Sequence, residues 1–304
     1  EVFCFIISPH LFINYLSCPI TYVSAQHMKK QIILFALLFV YHLSLKSQEE
    51  TQPLPVKAKG TFYAGWGYNK DWFSKSDLHF KNTTGEYNPN TGRYDNYDFT
   101  IYGAKAKDRT GFKDILRTDL TIPQYVYRIG YFFNKKQNFG IEINFDHVKY
   151  VMIDYQTLHV KGMINGQYID QDTLIRPDNF LHFEHTNGAN FMMLNFMKRQ
   201  LLLSSKNQRH QLNAIAKIGA GIVIPKTDVF LFGQEVDNCF HIAGYCAGIE
   251  TGFRYEAFKH IYLEYTGKGA FSNYTNVLVI GSGKANHYFW TFENILVLGL
   301  QIPL

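Results

Sequence analysis

The stretch QYVYRIGYFFNKKQNFGIEINFDH, residues 124–147, has the clearest strand pattern of the chain. Two apolar runs flank the polar turn NKKQN, and the second run alternates between apolar residues and small or polar ones. The apolar positions are Phe139, Ile141, Ile143 and Phe145, and the intervening ones are Gly140, Glu142, Asn144 and Asp146. This period of two residues predicts a β-hairpin. It leaves open which face meets water, because a soluble sheet buries its apolar face whereas a membrane barrel turns that face to lipid.

The composition favours a strand-rich membrane protein over a helical enzyme. Of the 304 residues only 18% are charged, against about 25% in an average soluble domain. Aromatic residues make up 16%, with 21 Tyr and 26 Phe, as expected for a sheet with aromatic girdles. The formal net charge is +5, and the basic residues are scattered along the chain, so no nucleic-acid partner is predicted.

The segment MKKQIILFALLFVYHLSLKSQ, residues 28–48, has the three parts of a secretory signal. Lys29 and Lys30 precede an apolar run at 32–43, and small or aliphatic residues precede Gln48, so we expect a signal peptide at 28–47. The apolar run is shorter than the roughly 20 residues of a spanning helix, although a membrane anchor stays open. Residues 1–27 are interpreted as an upstream extension of the reading frame or an artefact. Residues 48–59 are interpreted as a periplasmic linker.

Eight alternating runs follow within 60–304. We place strands near 60–69, 122–134, 138–151, 182–203, 210–224, 240–255, 260–271 and 286–302. Short links at 135–137, 204–209 and 256–259 alternate with long ones at 70–121, 152–181, 225–239 and 272–285. Outer-membrane barrels have short periplasmic turns and long external loops. The pattern therefore predicts an all-β fold: an eight-stranded antiparallel up-and-down transmembrane β-barrel in the bacterial outer membrane, in contact with outer-membrane lipid.

Two segments carry a family resemblance. GWGYNKDWFSKSDLHFK (65–81) and LTIPQYVYRIGYFF (120–133), together with the signal peptide, Gln48, the eight strands and the C-terminal strand, resemble small outer-membrane β-barrel proteins of the Bacteroidota. The resemblance covers most of residues 58–304. It implies a location and a fold, and it implies no known activity.

Charged residues fall on the predicted lumen faces, where small residues also occur. They are Arg128, Glu142, Asp146, Lys217, Glu250, Arg254, Glu264, Lys268 and Glu293. Because buried charges must be paired, four cations and five anions predict a plugged lumen rather than a pathway. A small diffusion channel is kept as an alternative.

The segment FEHTNGANF (183–191) is the strongest candidate for chemistry. Outer-membrane lipid hydrolases place a His and a Ser two residues apart on one strand face. Here Thr186 directly follows His185, and Asn187 takes the position two residues on, so a hydroxyl nucleophile is not supported locally. His185, Asn187 and, at the neighbouring rim, His147 stay weak catalytic candidates. A membrane-embedded lipid hydrolase, lipid A deacylase-like or phospholipase-like, is kept as the main alternative function because of these three candidates.

No metal site, cofactor or disulfide is predicted. Two rim histidines need at least one more ligand to hold a metal ion. In YIDQDT (168–173) Asp170 and Asp172 have the spacing of a calcium loop, but the Gly and Glu of an EF-hand are missing, so we expect a solvated loop. Cys239 and Cys246 would lie roughly 23 Å apart in an extended segment, beyond the ~7 Å limit between the Cα atoms of a disulfide.

The long first loop, 70–121, is rich in aromatic residues: Trp72, Phe73, Tyr87, Tyr94, Tyr97, Phe99 and Tyr102. Within it, DLHFK and YDFTIYGAKAK are expected to pair as a hairpin that extends the barrel. Such loops bind a surface glycan or a protein ligand in some proteins and only cover the barrel mouth in others. The sequence therefore predicts a plugged outer-membrane barrel with a structural or surface-binding role.

Overall fold

The computed structural model describes residues 60–88, 92–109, 124–133, 138–185 and 187–304. They belong to one compact unit, Pro55–Leu304. The predicted upstream extension, signal peptide and linker lie outside the described residues. Within the described ranges we find no helical segment with the length and apolar character that a helix needs to cross a bilayer.

Seventeen strands account for the regular structure of the described residues. They are β1 (Thr61–Phe73), β2 (Ser76–Asn88), β3 (Arg93–Ala104), β4 (Ala106–Lys107), β5 (Val126–Phe132), β6 (Phe139–Asp146), β7 (Tyr150–Met152), β8 (Thr157–Ile164), β9 (Gln167–Leu174), β10 (Leu181–His185), β11 (Phe191–Ser204), β12 (His210–Val223), β13 (Asp228–Leu231), β14 (Gln234–Asp237), β15 (Gly244–Ala257), β16 (Ile261–Leu278) and β17 (Lys284–Pro303). The prediction of an all-β chain is confirmed.

Eight of these strands form a closed antiparallel ring. Its order is β1, β5, β6, β11, β12, β15, β16 and β17, and β17 pairs back onto β1 from Thr61↔Pro303 to Phe73↔Thr291. The predicted set of eight antiparallel strands is thereby confirmed. Closure leaves no free strand edge in the ring, so the backbone groups of β1 and β17 bond each other.

The hairpin of residues 124–147 shows which way the ring faces. Ile141 and Ile143 are 47% and 51% exposed, whereas Glu142 and Asn144, between them, are 1% and 0% exposed. The same reversal runs along β17, where Leu296, Leu298 and Leu300 point outward and Val297 is buried. The ring therefore has an apolar outer wall and an interior that receives its polar side chains.

The remaining strands build a second region, which we call the cap. Strands β2, β3, β8 and β9 continue the ring sheet from the end of β17, through Lys284–Asn286 paired with His79–Lys81. Strands β4, β7, β10, β13 and β14 form a separate five-stranded sheet. An apolar core of cap residues such as Phe80, Phe99 and Phe183 continues into the mouth of the ring, where it meets residues such as Phe289.

The long first loop contains the predicted hairpin. DLHFK lies in β2 and YDFTIYGA in β3, with Leu78↔Ile101 and Phe80↔Phe99 in register. Each strand presents large apolar residues at every second position to the cap core, which gives both strands a common buried face. The first loop is thus largely folded structure.

Local predictions are wrong at several points. The predicted strand 138–151 is split into β6 of the ring and β7 of the five-stranded sheet. The predicted strand 182–203 is two strands, β10 and β11, separated near Gly188, whose φ of 130° breaks the extended path. The predicted long link 272–285 is a short turn at 279–283, because β16 and β17 stay paired well beyond the ring. The segment YIDQDT is not a loop but part of strand β9, whose outward side chains are solvated.

Candidate functional site

The ring interior is the first candidate site, and alternation along the strands builds it. All nine charges predicted for the lumen, namely Arg128, Glu142, Asp146, Lys217, Glu250, Arg254, Glu264, Lys268 and Glu293, lie inside the ring and are at most 4% exposed. The sequence prediction missed three further interior charges, Asp71, Arg199 and Glu256. Asp71 and Glu256 lie near the ends of β1 and β15, where the apolar pattern that defined the predicted strands fades.

Lys217 is the centre of the interior charge network. Its Nζ lies 2.9 Å from Glu142 Oε1, 3.0 Å from Glu250 Oε1 and 2.7 Å from Glu264 Oε1. These carboxylates belong to β6, β15 and β16, so one ammonium group joins strands from different sides of the ring. The three donors of a lysine are all used, which is the condition for burying its charge.

A second group of ion pairs lies nearer the cap. Arg128 donates to Asp146, and its other nitrogens lie 3.6 Å from Glu142 and 3.7 Å from Glu250. Lys268 also donates to Asp146 and lies 3.2 Å from Glu293. Asp146 therefore receives two cations. Such shared pairs fix the side chains at the ring centre.

The opposite end of the interior, towards the short turns, is closed by an arginine between aromatic rings. The Arg254 guanidinium lies 4.1 Å from the Tyr262 ring centre and 4.3 Å from that of Tyr63, and its Nε donates to Glu264 at 2.6 Å. Arg199 lies 4.1 Å from the ring centre of Phe132. Cation–π contacts are strongest where water is excluded, and both guanidinium groups are buried.

One pair of interior acids is placed directly side by side. Asp71 and Glu293 are register partners on β1 and β17 and both point inward. Asn69 donates to Glu293 at 3.1 Å and to Asp71 at 3.4 Å, and Gln124 donates to Asp71 at 3.0 Å. Amide N–H groups therefore stand between the carboxylates and reduce the repulsion expected for like charges opposite each other on two strands.

The two histidines among the weak catalytic candidates, His147 and His185, have different hydrogen-bond partners. His147 bonds Asn190 through Nδ1 at 2.7 Å and stacks on Tyr125 with ring centres 4.6 Å apart. Burial in this packed position lowers the pKa of His147 to about 4, so the imidazole of His147 is neutral at pH 7. His185 lies instead in the cap core, where it contacts His287 of β17.

Two hydroxyl groups approach the buried imidazoles. Thr227 Oγ1 lies 2.9 Å from Nδ1 of His185, and Ser76 Oγ lies 3.3 Å from Nδ1 of His287. All four residues are at most 3% exposed. A nucleophile must reach its substrate, and these hydroxyls are enclosed by the core. Asn187, the third weak catalytic candidate, is half-buried, and its neighbour Thr186 lies outside the described residues.

A partly exposed ionic cluster lies on the cap. His182 bonds Asp154 at 2.8 Å through Nδ1, and its Nε2 lies 3.4 Å from Glu184. The hydrogen bond to Glu184, followed by that to Asp154, raises the pKa of His182 to about 9 despite partial burial. Arg109 reaches Glu184 at 3.0 Å. Both imidazole nitrogens of His182 face carboxylates. The charged histidine therefore links Asp154 in the β7–β8 turn to β10.

The predicted aromatic loop divides into two groups. Trp72, Tyr87, Tyr94 and Tyr102 are exposed, whereas Tyr97 and Phe99 are buried in the cap core and Phe73 is half-buried. Tyr87 and Tyr94 face each other edge to face at the hairpin tip, with ring centres 5.4 Å apart. Only the exposed group is available to a ligand.

The outer face of β8 and β9 is polar and organised by its own ion pairs. His159 bonds Asp170 at 2.9 Å and Asp172 at 3.0 Å, and Lys161 bonds Asp170 at 3.0 Å. Tyr102 lies beside the His159 ring at 5.9 Å. Among the described residues, no group of three or more His, Cys, Asp or Glu side chains is arranged to hold a metal ion.

Comparison with solved structures gives similarities to bacterial outer-membrane proteins at low identity. OprG from Pseudomonas aeruginosa is 12% identical with a TM-score of 0.34, and the match covers 83% of this chain and 100% of that chain. Neisserial surface protein A is 9% identical with a TM-score of 0.29, covering 80% and 97%. Ail of Yersinia pestis is 8% identical with a TM-score of 0.27, covering 81% and 99%. No protein-family model and no curated protein sequence matches the chain.

Proposed function

We propose that this chain is a bacterial outer-membrane β-barrel with a plugged lumen, which displays the cap outside the cell in a structural or surface-binding role. The observation that carries the proposal is the reversed exposure of the ring, with leucine and isoleucine outside and paired charges inside. Soluble monomers seldom expose contiguous apolar patches above a few hundred Å². A hydrocarbon layer around the ring removes this cost, because lipid solvates the apolar wall.

The plugged lumen follows from the same residues. The centre holds Lys217 and its three carboxylates, and the turn end holds Arg254 between two tyrosine rings. An open channel would require these groups to leave the ring axis, and that movement would break buried ion pairs. The interior therefore gives no support to the channel alternative. In planar bilayers, purified protein is expected to give no stable conductance. A steady open conductance of nanosiemens size would contradict the plugged lumen.

The lipid hydrolase alternative also receives no support from the histidines. The hydroxyls nearest to His185 and His287 are buried in the core, and His147 bonds an asparagine instead of a hydroxyl. The surface-binding role rests on the exposed pair Tyr87 and Tyr94, and on exposed Tyr102, which lies beside His159. Aromatic faces beside fixed polar groups suit a surface glycan or a protein ligand.

The membrane assignment is tested by placing one arginine at two depths of the wall. Ala216 is exposed in the middle of β12, and Ala257 ends β15 beside a short turn. Arginine at the bilayer midplane of a barrel costs about 2–4 kcal/mol, and near an interface about 0–1. We therefore expect Ala216→Arg to lower the free energy of unfolding in lipid vesicles by about 2–4 kcal/mol and Ala257→Arg to leave it nearly unchanged.

The readouts are a urea series on vesicle-bound protein and gel migration of unheated against boiled samples. A closed ring resists detergent until it is heated, because every strand in it is paired on both sides. Equal urea midpoints for the two arginine variants, together with the absence of any heat-dependent shift, would sink the membrane assignment.

A further inference from the structure

We propose that His185 and His287 form an acid-sensitive joint that holds the cap in the mouth of the ring at neutral pH and releases it on acidification. The joint is the direct contact between the Nε2 atoms of the two rings, 3.1 Å apart. His185 ends β10 in the cap and His287 belongs to β17 of the ring, so this one hydrogen bond links the two regions.

The contact belongs to a longer buried chain of hydrogen bonds. Thr227 bonds Nδ1 of His185, Ser76 bonds Nδ1 of His287, and Ser76 also lies 3.3 Å from the hydroxyl of Tyr150. Thr227 precedes β13, Ser76 begins β2 and Tyr150 begins β7. The chain thus joins four segments of the cap to β17. Loss of the central bond would disconnect His185 of β10 and Thr227 from β17, whereas Ser76 and Tyr150 stay linked to His287.

The bonds in this chain require that at least one of the two imidazoles is neutral. Between two imidazole nitrogens one must donate and the other must accept, so one Nε2 carries the proton and the other a lone pair. The hydroxyls of Thr227 and Ser76 both donate and accept, and they fit either order. When both histidines carry a second proton, two N–H donors and two positive charges face each other at the central contact, and the bond is lost.

Within the described ranges, no carboxylate is hydrogen-bonded to either imidazole to compensate such a charge. The neighbours Glu184 and Asp228 face other groups of β10, β13 and the cap surface. The titratable groups around the joint are Tyr150 from β7, Tyr274 from β16, Cys246 from β15 and the half-buried His241.

The surroundings are otherwise aromatic. His185 stacks on Tyr274 with ring centres 5.2 Å apart and meets Phe183 at 4.9 Å, while His287 packs beside Phe289 at 5.2 Å. Burial in this apolar enclosure lowers the pKa of His185 well below its usual value. An unfolded or released histidine titrates near 6.5, so protons favour the released state at every pH below that value.

Cys246 reports on release, because it lies in the same core beneath the joint. With Cys4→Ser, Cys18→Ser and Cys239→Ser in the full chain, Cys246 is the single remaining thiol. The protection factor is the rate at which 4,4′-dithiodipyridine labels Cys246 in urea-unfolded protein, divided by the rate in folded protein at the same pH. This probe reacts in acid as well as at neutral pH.

We expect the protection factor to fall between pH 6 and 5 by about tenfold for each histidine that is neutral only in the closed state. The double variant His185→Gln/His287→Gln keeps a donor and an acceptor at each position and removes both titrations. Its acid-induced loss of protection should be about 100-fold smaller than that of the parent protein. His210→Gln, at a distant turn of the ring, should keep the parental pH profile.

An unchanged acid profile in the double variant would overturn the proposal. Each single Gln variant should lose about tenfold of the effect, which keeps the test decisive if the double variant does not fold. Imidazole ¹⁵N shifts of the parent protein give an independent check. Both imidazoles should remain neutral at pH 6 while the cap is closed. The proposal would also be overturned if both histidines became charged near pH 6.5 while Cys246 stayed protected.

Discussion

The ring and the cap use the same alternation of side chains with opposite results. On β17 of the ring, Leu296 and Leu298 face outward while Glu293, on the alternate face, is buried. On β3 of the cap, Phe99 and Ile101 are buried, and Asp98 between Tyr97 and Phe99 is on the outer face. A period of two residues therefore predicts a strand, but it does not predict which face of the strand is buried. The location of the paired charges distinguishes the two regions: they are inside the ring and on the surface of the cap.

The largest expected effect breaks the polar interior. Replacing Lys217 by Met leaves Glu142, Glu250 and Glu264 without their shared cation. Removing one partner of a buried ion pair costs about 3–5 kcal/mol, because an uncompensated charge stays buried. We expect a loss of that size in the free energy of unfolding, measured by urea titration of the folded protein.

Lys226 provides the matched control on the cap. Its pair with Asp237 is 2.7 Å long but partly exposed, and such pairs contribute about 0–1 kcal/mol. Lys226→Met should therefore leave the urea midpoint nearly unchanged. If the two methionine variants lost equal stability, the contrast between a charged interior and an apolar cap core would be wrong.

The next largest effect is expected in the apolar core of the cap. Leu181 is buried in β10 opposite Leu231 of β13, within the apolar cap core. Leu181→Ala should cost about 2–5 kcal/mol of cap stability, through lost burial and the cavity left behind. Amide hydrogen exchange of the peptide covering 181–185 measures this loss.

The ring should not respond to the same change. Heat-dependent gel migration of Leu181→Ala should remain that of the parent, since the eight paired strands are untouched. Leu174→Ala, at an exposed position of β9, is the control and should leave exchange at 181–185 unchanged. Loss of the gel shift in Leu181→Ala would mean that cap and ring fold as one cooperative unit.

The smallest effect is a pH dependence of the cap surface. The pKa of His182 is raised to about 9 by Glu184 and Asp154, so its stabilisation is complete below the ordinary value near 6.5 and disappears as pH rises to about 9. Because the side chain is partly exposed, we expect only about 1 kcal/mol. Exchange-derived cap stability should fall between pH 6.5 and 9.5 in the parent and stay flat in His182→Gln.

Much of the ring could be predicted from local pattern. In β6 and β15 the small and charged residues fall on one face, and that alternation placed Glu142, Glu250 and Arg254 correctly without any knowledge of their partners. Asp71 was missed because the apolar pattern of the first strand ends near residue 69, whereas pairing with β17 carries β1 on to Phe73. Pairing of that kind depends on the whole ring and leaves no local signal.

The cap could be predicted only in part. The β2–β3 hairpin follows from two facing apolar alternations, and the same alternation would have assigned Tyr97 and Phe99 to its buried face. Strands such as β7, β10 and β13 have only three to five residues and pair with distant segments, so no repeat is long enough to detect. The contact between His185 and His287 joins residues 102 positions apart, and it arises from tertiary packing alone.

The pairing of β1 with β17 is expected to be the slow step in folding of the ring. Thr61 pairs with Pro303, so the first and last strands of the ring must find each other across nearly the whole described chain. Loop-closure entropy makes such distant pairing slow. Until the last strand arrives, β1 and β16 each present an unpaired edge, which is a template for wrong association. The rate of maturation should therefore be set by docking of β17 onto β1.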